Sequence, residues 1–521
     1  MTTSPDALPQ PGANPRRIAN NVLYSALGRA WSALLLFITI PIVVHSIGTS
    51  AYGVYALVSV VLGYVAFLDF GLTAAVVRSV SKYRVAGDLH GMGQVIGTAI
   101  TLLTILGLLG ATCIVMLGPW AVRSSLHIPP NLRSDASFAF QTAALGFGCN
   151  MLLVVFAGIV QGLQRLDIFA SRTVVLSTFT SVAQVAAVTL GGGLRWLVLA
   201  TVIVSVLSFV IFVVAARRLL PGVSLRPRFD PKAIRELADF AVFRFINQAS
   251  GQVTFQLDPI IIGIFQPVAT VAFYAVPLSV TQKFHVVEDS VASAYFPAAV
   301  ELHSRSEIER LNRLYLTAIK LVFVAMAFLI VICAGYAHAI LSAWVGPDIA
   351  DHASGIFALL AIGYGLSALI GIPSQAADAT GHQRWTAAFA VGSAVIQLGL
   401  ALILVPRLGP IGAAAALVIN VVAQGSIFVW LVHHRFLKIP LLVVAMRTFT
   451  RPSLAALSLV IFVLMTRNQV GSVGALLLDL IVASLLFVSF TFLFRVWNHQ
   501  ELAVADQIRR AVWNSRRIRR V

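Results

Sequence analysis

Three basic residues lie deep inside long apolar stretches of the chain, and a fourth, Lys320, lies nearer the end of its stretch. Arg29, Arg244 and Lys283 each interrupt a segment that is long enough to cross a membrane. A charge at the centre of a bilayer costs about 2.5–3.5 kcal/mol on insertion scales, so such side chains usually face a partner or a water-filled cavity. Two or more cations together can offset the desolvation of a diphosphate. We therefore predict one cationic chamber, formed by these three residues, for an anionic substrate.

Carboxylates also fall inside apolar segments, at Asp69, Asp258 and Glu288. One interpretation of each is a structural ion pair with a neighbouring basic group. The other is coupling to an ion gradient, because burial destabilises a charged carboxylate and favours exchange of a proton. Asp69 and Asp258 are the stronger candidates for coupling to protons or sodium, and Glu288 is the third.

The composition of the chain predicts the helices that carry these charges. Of the 521 residues, 59% are apolar and only 11% are charged, which is too few charges to cover a water-soluble body of this size. Because a membrane-spanning helix needs about 20 mostly apolar residues, the chain is predicted to be an all-α integral membrane protein with about fourteen transmembrane helices. These are 21–44, 52–81, 93–117, 136–160, 170–190, 195–216, 238–264, 268–297, 312–341, 352–377, 385–405, 411–432, 448–466 and 474–496.

The basic residues orient this bundle. The chain has 37 Lys and Arg against 20 Asp and Glu, and cytoplasmic loops carry the excess of Lys and Arg. With the N-terminus inside, 28 basic residues fall in inner segments and 5 in outer loops. We therefore expect a multi-pass protein of the cytoplasmic (inner) membrane with both termini cytoplasmic. The net charge of +17 then needs no nucleic acid to explain it.

Breaks in the pattern divide the chain into a cytoplasmic tail (1–20), a six-helix bundle (21–216), a basic linker (217–237), a second six-helix bundle (238–432), two additional helices with their preceding loop (433–496) and a basic cytoplasmic tail (497–521). Pro41 and Pro259 match at an offset of 218 positions in similar stretches of the two halves. A duplicated hairpin is therefore predicted. Many transporters are built from such repeats, with the binding site where the repeats meet.

Enzymatic chemistry finds little support in the sequence. None of the five lysines follows a glycine, so the phosphate-binding loop of an ATP-driven pump is absent. The three cysteines lie in apolar runs without metal-ligand spacing. We therefore predict no catalytic residue, no metal site and no cofactor.

Three stretches carry a family resemblance. The segment GTSAYGVYALVSVVLGYVAFLDFGLTAAVVRSVSKY (48–83), the turn DATGHQR (378–384) and the helix start VPRLGPIGAAAALVIN (405–420) resemble the oligosaccharide and polysaccharide flippases. These Wzx-like proteins belong to the multidrug/oligosaccharidyl-lipid/polysaccharide (MOP) exporter superfamily. The resemblance implies two pseudo-symmetric helical bundles around a central cavity.

The resemblance also implies a function. It is that of a flippase that moves an undecaprenyl-pyrophosphate-linked oligosaccharide across the membrane by alternating access during polysaccharide biosynthesis, for lipopolysaccharide O-antigen or exopolysaccharide. Arg29, Arg244 and Lys283 fit the cationic cavity of that family, and Arg78 would guard its cytoplasmic mouth. The implied partners are the lipid-linked oligosaccharide, membrane lipids and other proteins of polysaccharide assembly. The alternatives are a multidrug-type secondary exporter, a membrane-bound sugar polymerase or ligase, and a non-transporting scaffold of the assembly complex.

Overall fold

The computed structural model describes residues 15–64 and 68–497, without the side chains of residues 15–27, 29, 30, 166, 239–244 and 447. The predicted basic tail after Trp497 and most of the N-terminal tail lie outside the described residues. The helices are α1 (Pro15–Gly63), α2 (Leu72–Ala86), α3 (Leu89–Ser124), α4 (Arg133–Gly162), α5 (Leu166–Thr189), α6 (Gly193–Leu219), α7 (Pro231–Gln256), α8 (Asp258–Phe265), α9 (Val268–Thr281), α10 (His285–Ser304), α11 (Ile308–Gly335), α12 (Ala337–Trp344), α13 (Pro347–Ala379), α14 (Gln383–Leu408), α15 (Pro410–Leu431), α16 (Leu441–Val444), α17 (Thr450–Thr466) and α18 (Val473–Leu493).

Local signals in the sequence explain where several helices begin. Asp88 accepts a hydrogen bond from the backbone N–H of Gly91 at 2.8 Å and caps α3. Asp230 caps α7 in the same way, ahead of a proline at the first helical position. Ser472 caps α18 by accepting from the N–H of Ala475. These side chains satisfy donors that have no partner inside the helix, so the polar breaks between apolar runs become helix ends.

The all-helical membrane fold is confirmed, and the count of fourteen spans stays a prediction. Ten helices in the described part of the chain are long and apolar enough to cross a membrane, and α17 is a shorter apolar helix. Four predicted spans are interrupted in the described part of the chain. The chain between α1 and α2 breaks within 52–81, α7 and α8 divide 238–264, a 3₁₀ turn at Gln282–Phe284 divides 268–297, and α11 and α12 divide 312–341. The first two predicted spans are joined, since α1 continues through the first predicted outer loop.

The breaks in α1 and after α8 occupy equivalent positions. Within α1 the backbone of Gly48 leaves the helical region with φ 78°, a conformation that a glycine adopts without steric cost. In the matching stretch of the second half of the sequence, the helix breaks at Gln266, where the backbone is extended directly after α8. Gln266 follows Gly48 by the same 218 positions that separate Pro259 from Pro41. The equivalent breaks support the predicted duplication.

The chain forms two compact units, Met1–Ala272 and Phe273–Val521. The core of the first unit joins apolar residues of α2, α3, α4 and α6, among them Met92, Ile96 and Val155. In the second unit, α17 and α18 pack on α11 and α12 around Leu459 and Phe487. Helices α7 and α8 belong to the first unit, although the sequence assigns them to the second half.

Large apolar side chains remain exposed along many helices. Leu108, Met116, Leu145 and Ile203 are each more than 60% exposed. A soluble monomer rarely leaves so much apolar surface in water, whereas lipid tails solvate it. The outer faces of the helices are therefore the surface that contacts the bilayer, which agrees with a multi-pass membrane protein.

Candidate functional site

The four predicted cations are distributed over both units. Arg29 lies on α1 and Arg244 on α7, and the side chains of both lie outside the described part of the structure. Arg78 lies on α2, in the same unit. Lys283 belongs to the second unit, where it sits in the 3₁₀ turn between α9 and α10. The predicted joint chamber of the three intramembrane cations stays a prediction.

Lys283 projects from a break in a predicted span. Its side chain is exposed, and the neighbouring Phe284 is buried. Asp289, Ser290 and Ser293 are also exposed on the first turns of α10. Because a charged or hydroxyl-bearing surface is costly in lipid, this polar face indicates contact with water within the depth of the membrane.

Helix α7 carries a stripe of polar residues that the sequence analysis did not single out. Gln248, Gln252 and Gln256 follow Arg244 at intervals of four residues, which places all four on one side of a helix. All three glutamine side chains are half-buried. The signal is present in the sequence as three amides in one predicted span.

A second set of polar contacts lies on α1 just after Arg29. The indole N–H of Trp31 donates to the Thr178 hydroxyl at 2.9 Å, and the Ser32 hydroxyl donates to Ser177 at 3.3 Å. Both partners lie on α5. Close packing of α1 on α5 is aided by Gly28, where an added Cβ would lie 3.2 Å from Val174. Helix α1, which carries Arg29, therefore packs against hydroxyl groups of α5.

An amide network links the same helices nearer the predicted outer side. Gln184 of α5 donates from Nε2 to the Tyr55 hydroxyl at 2.7 Å and to the Thr201 hydroxyl at 3.2 Å. These residues come from α5, α1 and α6. Polar groups inside a membrane need such partners, so the network fixes three helices of the first unit against each other. Sequence analysis missed it because three neutral residues far apart in the chain carry no spacing signal.

Arg78 lies beside an ion-pair cluster at the predicted cytoplasmic end of α2. Glu236 of α7 accepts from Lys82 Nζ and from the Tyr83 hydroxyl, each at 2.8 Å. Burial raises the pKa of Glu236, but these hydrogen bonds and the charges of Lys82 and Arg78 outweigh burial, so its pKa is lowered. The hydrogen bond to Glu236 raises the pKa of Tyr83 to about 12. The cluster ties α2 to α7, and Arg78 is an exposed cation at its edge.

Two of the predicted coupling acids occupy helix starts. Asp69 is 4% exposed, and its Oδ1 accepts from the Gly71 N–H at 2.9 Å at the start of α2. Asp258 is buried at the first position of α8, directly before Pro259. A carboxylate at a helix N-terminus is stabilised by the local backbone dipoles and N–H groups. Both positions therefore have a structural use, while their predicted role in ion coupling stays untested.

The third acid has a different environment. Glu288 is buried on α10, with its Oε2 at 3.6 Å from Nδ1 of His285. The other nitrogen of that imidazole, Nε2, lies 3.1 Å from the hydroxyl of Ser367 on α13. Gly371, one turn further along α13, leaves room for the carboxylate, since a Cβ added there would overlap with it. The sequence analysis did not single out His285.

Other features add no chemical site. A cavity of about 670 Å³ lies between the ends of α11–α13 and the α17–α18 loop, next to His338 and Arg467, and none of the predicted site residues lines it. Among the described residues, no cluster of three His, Cys, Asp or Glu side chains has the geometry to hold a metal ion. The charges of the spans therefore remain the main candidates for function.

Comparison with known proteins gives these features a context. The family described as polysaccharide biosynthesis protein matches residues 18–303. A putative O-antigen transporter of Shigella flexneri is 25% identical over 421 residues, which cover 80% of this chain and 97% of that protein. The uncharacterized membrane protein EpsK of Bacillus subtilis (strain 168) is 22% identical over 411 residues, covering 74% of this chain and 77% of that protein.

Solved structures share the fold. The lipid II flippase MurJ in an inward closed conformation superposes with a TM-score of 0.68 at 12% identity, covering 92% of this chain and 99% of that one. A multidrug resistance MATE family transporter of the MOP superfamily, in an inward-facing conformation, gives 0.62 at 18% identity, covering 80% and 95%. The relatives with a named activity are transporters or flippases, in agreement with the prediction that the chain is not an enzyme. The chain belongs to the polysaccharide biosynthesis protein family and has the fold of the MOP superfamily.

Proposed function

We propose that the protein is a flippase that moves an undecaprenyl-pyrophosphate-linked oligosaccharide from the inner to the outer leaflet of the cytoplasmic membrane by alternating access. Both termini would be cytoplasmic. Family membership supports a role in polysaccharide biosynthesis, and the relative from Shigella flexneri is named as a putative O-antigen transporter. The MurJ structure, which has the same fold, is that of a lipid II flippase.

The observation that carries the proposal is the stripe on α7, where Arg244 precedes three half-buried glutamines at four-residue intervals. A guanidinium pairs well with phosphate oxygens. Amide side chains both donate and accept hydrogen bonds, which suits the hydroxyl groups of sugars. One helix thus offers the two chemistries that a sugar diphosphate lipid requires. Arg29 on α1 and exposed Lys283 would supply further positive charge for the pyrophosphate.

The stripe also favours this substrate over a multidrug substrate. An exporter of cationic drugs would gain from carboxylates along the substrate path, since opposite charges attract in a medium of low dielectric constant. Here the stripe contains one cation and neutral amides and no acid. A polymerase or ligase would need reactive groups arranged for group transfer, and the stripe contains none.

The test uses purified protein in vesicles loaded on one leaflet with an undecaprenyl-pyrophosphate-linked oligosaccharide. Arrival of sugar at the opposite leaflet is measured with an impermeant glycosidase or lectin. We expect transport by the natural protein and a loss of at least tenfold in the double variant Arg29→Gln/Arg244→Gln and in Lys283→Gln. Gln252→Leu should weaken transport through the sugar contacts.

Lys232→Gln is the matched control, because Lys232 is an exposed lysine at the start of the same helix α7. It should transport at the natural rate. Unchanged transport in both cation variants would disprove the cationic site. Extension of the sugar chain by the purified protein would instead establish a polymerase.

A further inference from the structure

We propose that the connection between α6 and α7 is a membrane-bound strap, in which Arg226 and Arg228 bind the phosphate groups of anionic phospholipids and Phe229 inserts between the lipids. The strap is the segment 220–230, which follows the last residue of α6 and precedes the first residue of α7. In the proposed orientation these lipids belong to the cytoplasmic leaflet. The lipid site is independent of the molecule that the protein transports.

The strap is fixed along the first turns of α3. The backbone N–H of Arg228 donates to the carbonyl of Gly97 at 3.1 Å. The hydroxyl of Thr101 lies 2.8 Å from the carbonyl oxygen of Arg228 and 3.0 Å from that of Gly97, as in a shared hydrogen bond. A Cβ added at Gly97 would lie 2.6 Å from the carbonyl oxygen of Arg226, so this close approach needs a glycine. These contacts hold both arginines at a defined level of α3.

That level is the edge of the lipid-facing surface of α3. Apart from Leu89 at the first position, the exposed large apolar side chains of α3 begin at Ile105 and end at Trp120, and residues 95–100 are buried. Thr101, which contacts the strap, lies one turn, or about 6 Å, before Ile105. The headgroup region extends about 5–7 Å beyond each face of the hydrocarbon core. The strap therefore lies at the level of the lipid headgroups.

Helix α6 also leads from a lipid-facing surface to exposed arginines. Its exposed large apolar side chains end at Val214. Arg217 and Arg218 follow within the next turn, and both are exposed. Basic residues directly after a membrane span attract anionic lipids of the adjacent leaflet. The start of the strap therefore has the same electrostatic environment as its middle, where Arg226 and Arg228 lie.

The positive charge of the strap is not neutralised within the described part of the chain. Arg226 and Arg228 are exposed, and their guanidinium groups make no ion pair or hydrogen bond with any described residue. The two carboxylates that follow them in the sequence have other partners. Asp230 caps α7 by accepting from a backbone N–H at 2.9 Å, and Glu236 pairs with Lys82. An anionic ligand is therefore needed to supply the opposite charge.

Phe229 favours a lipid over a soluble acidic partner. Its side chain is 68% exposed and directly follows Arg228 in the sequence. Membrane-surface segments combine basic residues with apolar rings that enter the boundary between headgroups and acyl chains. An anionic phospholipid offers a phosphate to the arginines and an apolar region to the ring, whereas a free anion offers only charge. The level of the strap at the membrane edge favours the same ligand.

The first test measures lipid binding by the full-length protein in detergent, without a transport substrate. Phosphatidylglycerol and phosphatidylcholine with identical acyl chains are titrated, and bound lipid is followed by native mass spectrometry. We expect Arg226→Gln/Arg228→Gln to weaken phosphatidylglycerol binding at least tenfold and to leave phosphatidylcholine binding unchanged, whereas Arg226→Lys/Arg228→Lys should bind within threefold of the natural protein. The matched control is Arg305→Gln/Arg310→Gln, which removes the same charge from exposed arginines that already pair with glutamates. It should bind as the natural protein does.

The second test locates the strap in vesicles that contain both lipids. A nitroxide is attached to Phe229→Cys in a cysteine-free background, and its collisions with oxygen, which concentrates in lipid, are compared with those with a water-soluble nickel chelate. The ratio of oxygen to nickel collisions should be at least fivefold higher than for Arg310→Cys, in the exposed turn before α11. A nitroxide at position 229 that is as accessible to nickel as the control would overturn the proposal. Equal loss of phosphatidylglycerol in the two glutamine variants, or inorganic phosphate that displaces this lipid at equal concentration, would also overturn it.

Discussion

Lys82 of α2 and Glu236 of α7 form an ion pair at 2.8 Å, although they lie 154 positions apart in the chain. Tyr83 donates to the second carboxylate oxygen of Glu236, also at 2.8 Å. One carboxylate thus joins the second helix of the first half to the first helix of the second half. The pair lies at the end of the basic linker, so it anchors the point where the chain enters α7.

The first prediction concerns the pH dependence of this anchor. The pKa of Glu236 is lowered in the folded protein, so its pairing stabilises the fold above the unfolded pKa of about 4.3. That contribution is lost as the pH falls through the lowered folded value. The unfolding temperatures of the natural protein and of Glu236→Gln, measured in detergent, should therefore differ at neutral pH and become equal at acid pH. Glu301→Gln, at an exposed pair with Arg305 within one helix, should change stability less, and a larger effect there would contradict the interpretation.

The second prediction concerns Gly53 on α1. A Cβ at this position would overlap with the backbone carbonyl of Val268, at the start of α9. Gly53→Ala must therefore move the turn between α8 and α9 away from α1, at a cost of about 1–3 kcal/mol for overpacking. In a cysteine-free background, a cysteine at Gln266 should react faster with an impermeant maleimide in this variant. Gly63→Ala on the same helix meets open space, and equal labelling of the two variants would show that the contact is unimportant.

The third prediction separates structure from coupling at Asp69. Its Oδ1 accepts from the Gly71 N–H, and asparagine preserves such an acceptor while removing the charge. Asp69→Ala should lose about 1–3 kcal/mol of stability, because it leaves the buried Gly71 N–H without this acceptor. Asp69→Asn should unfold at the natural temperature and keep gradient-driven transport in vesicles. Loss of that transport in a stable Asp69→Asn protein would restore this residue as a coupling acid.

The fourth prediction concerns Lys320, which is only 4% exposed on α11. Its Nζ donates to the Val496 carbonyl, just after α18, and lies 5.9 Å from the Trp497 ring centroid. Lys320→Met keeps the length of the side chain but leaves a buried carbonyl without this donor, which costs about 1–3 kcal/mol. We expect earlier thermal unfolding and faster proteolysis after α18. Lys438→Met, at an exposed lysine, should change neither, and an equal effect would assign the loss to charge alone.

The sequence predicted most helices within a few residues. The span expected at 136–160 is α4 (Arg133–Gly162), and the one at 474–496 is α18 (Val473–Leu493). These predictions succeed because the length of an apolar run and the polar residues that end it are local properties. The break at Gln282–Phe284 was not predicted, because none of its three residues is a glycine or a proline that would signal a helix end.

The candidate site divides in the same way. The sequence by itself determined the membrane class, the predicted orientation and the positions of the charges along each span, since these depend on residue type and order. Only the tertiary structure decided which of the acids faces an imidazole. Glu288 meets His285 on its own helix and Gly371 on α13, while Ser367 of α13 contacts His285. Contacts between distant segments depend on how the helices pack, and the spacing of residues along the sequence does not determine that packing.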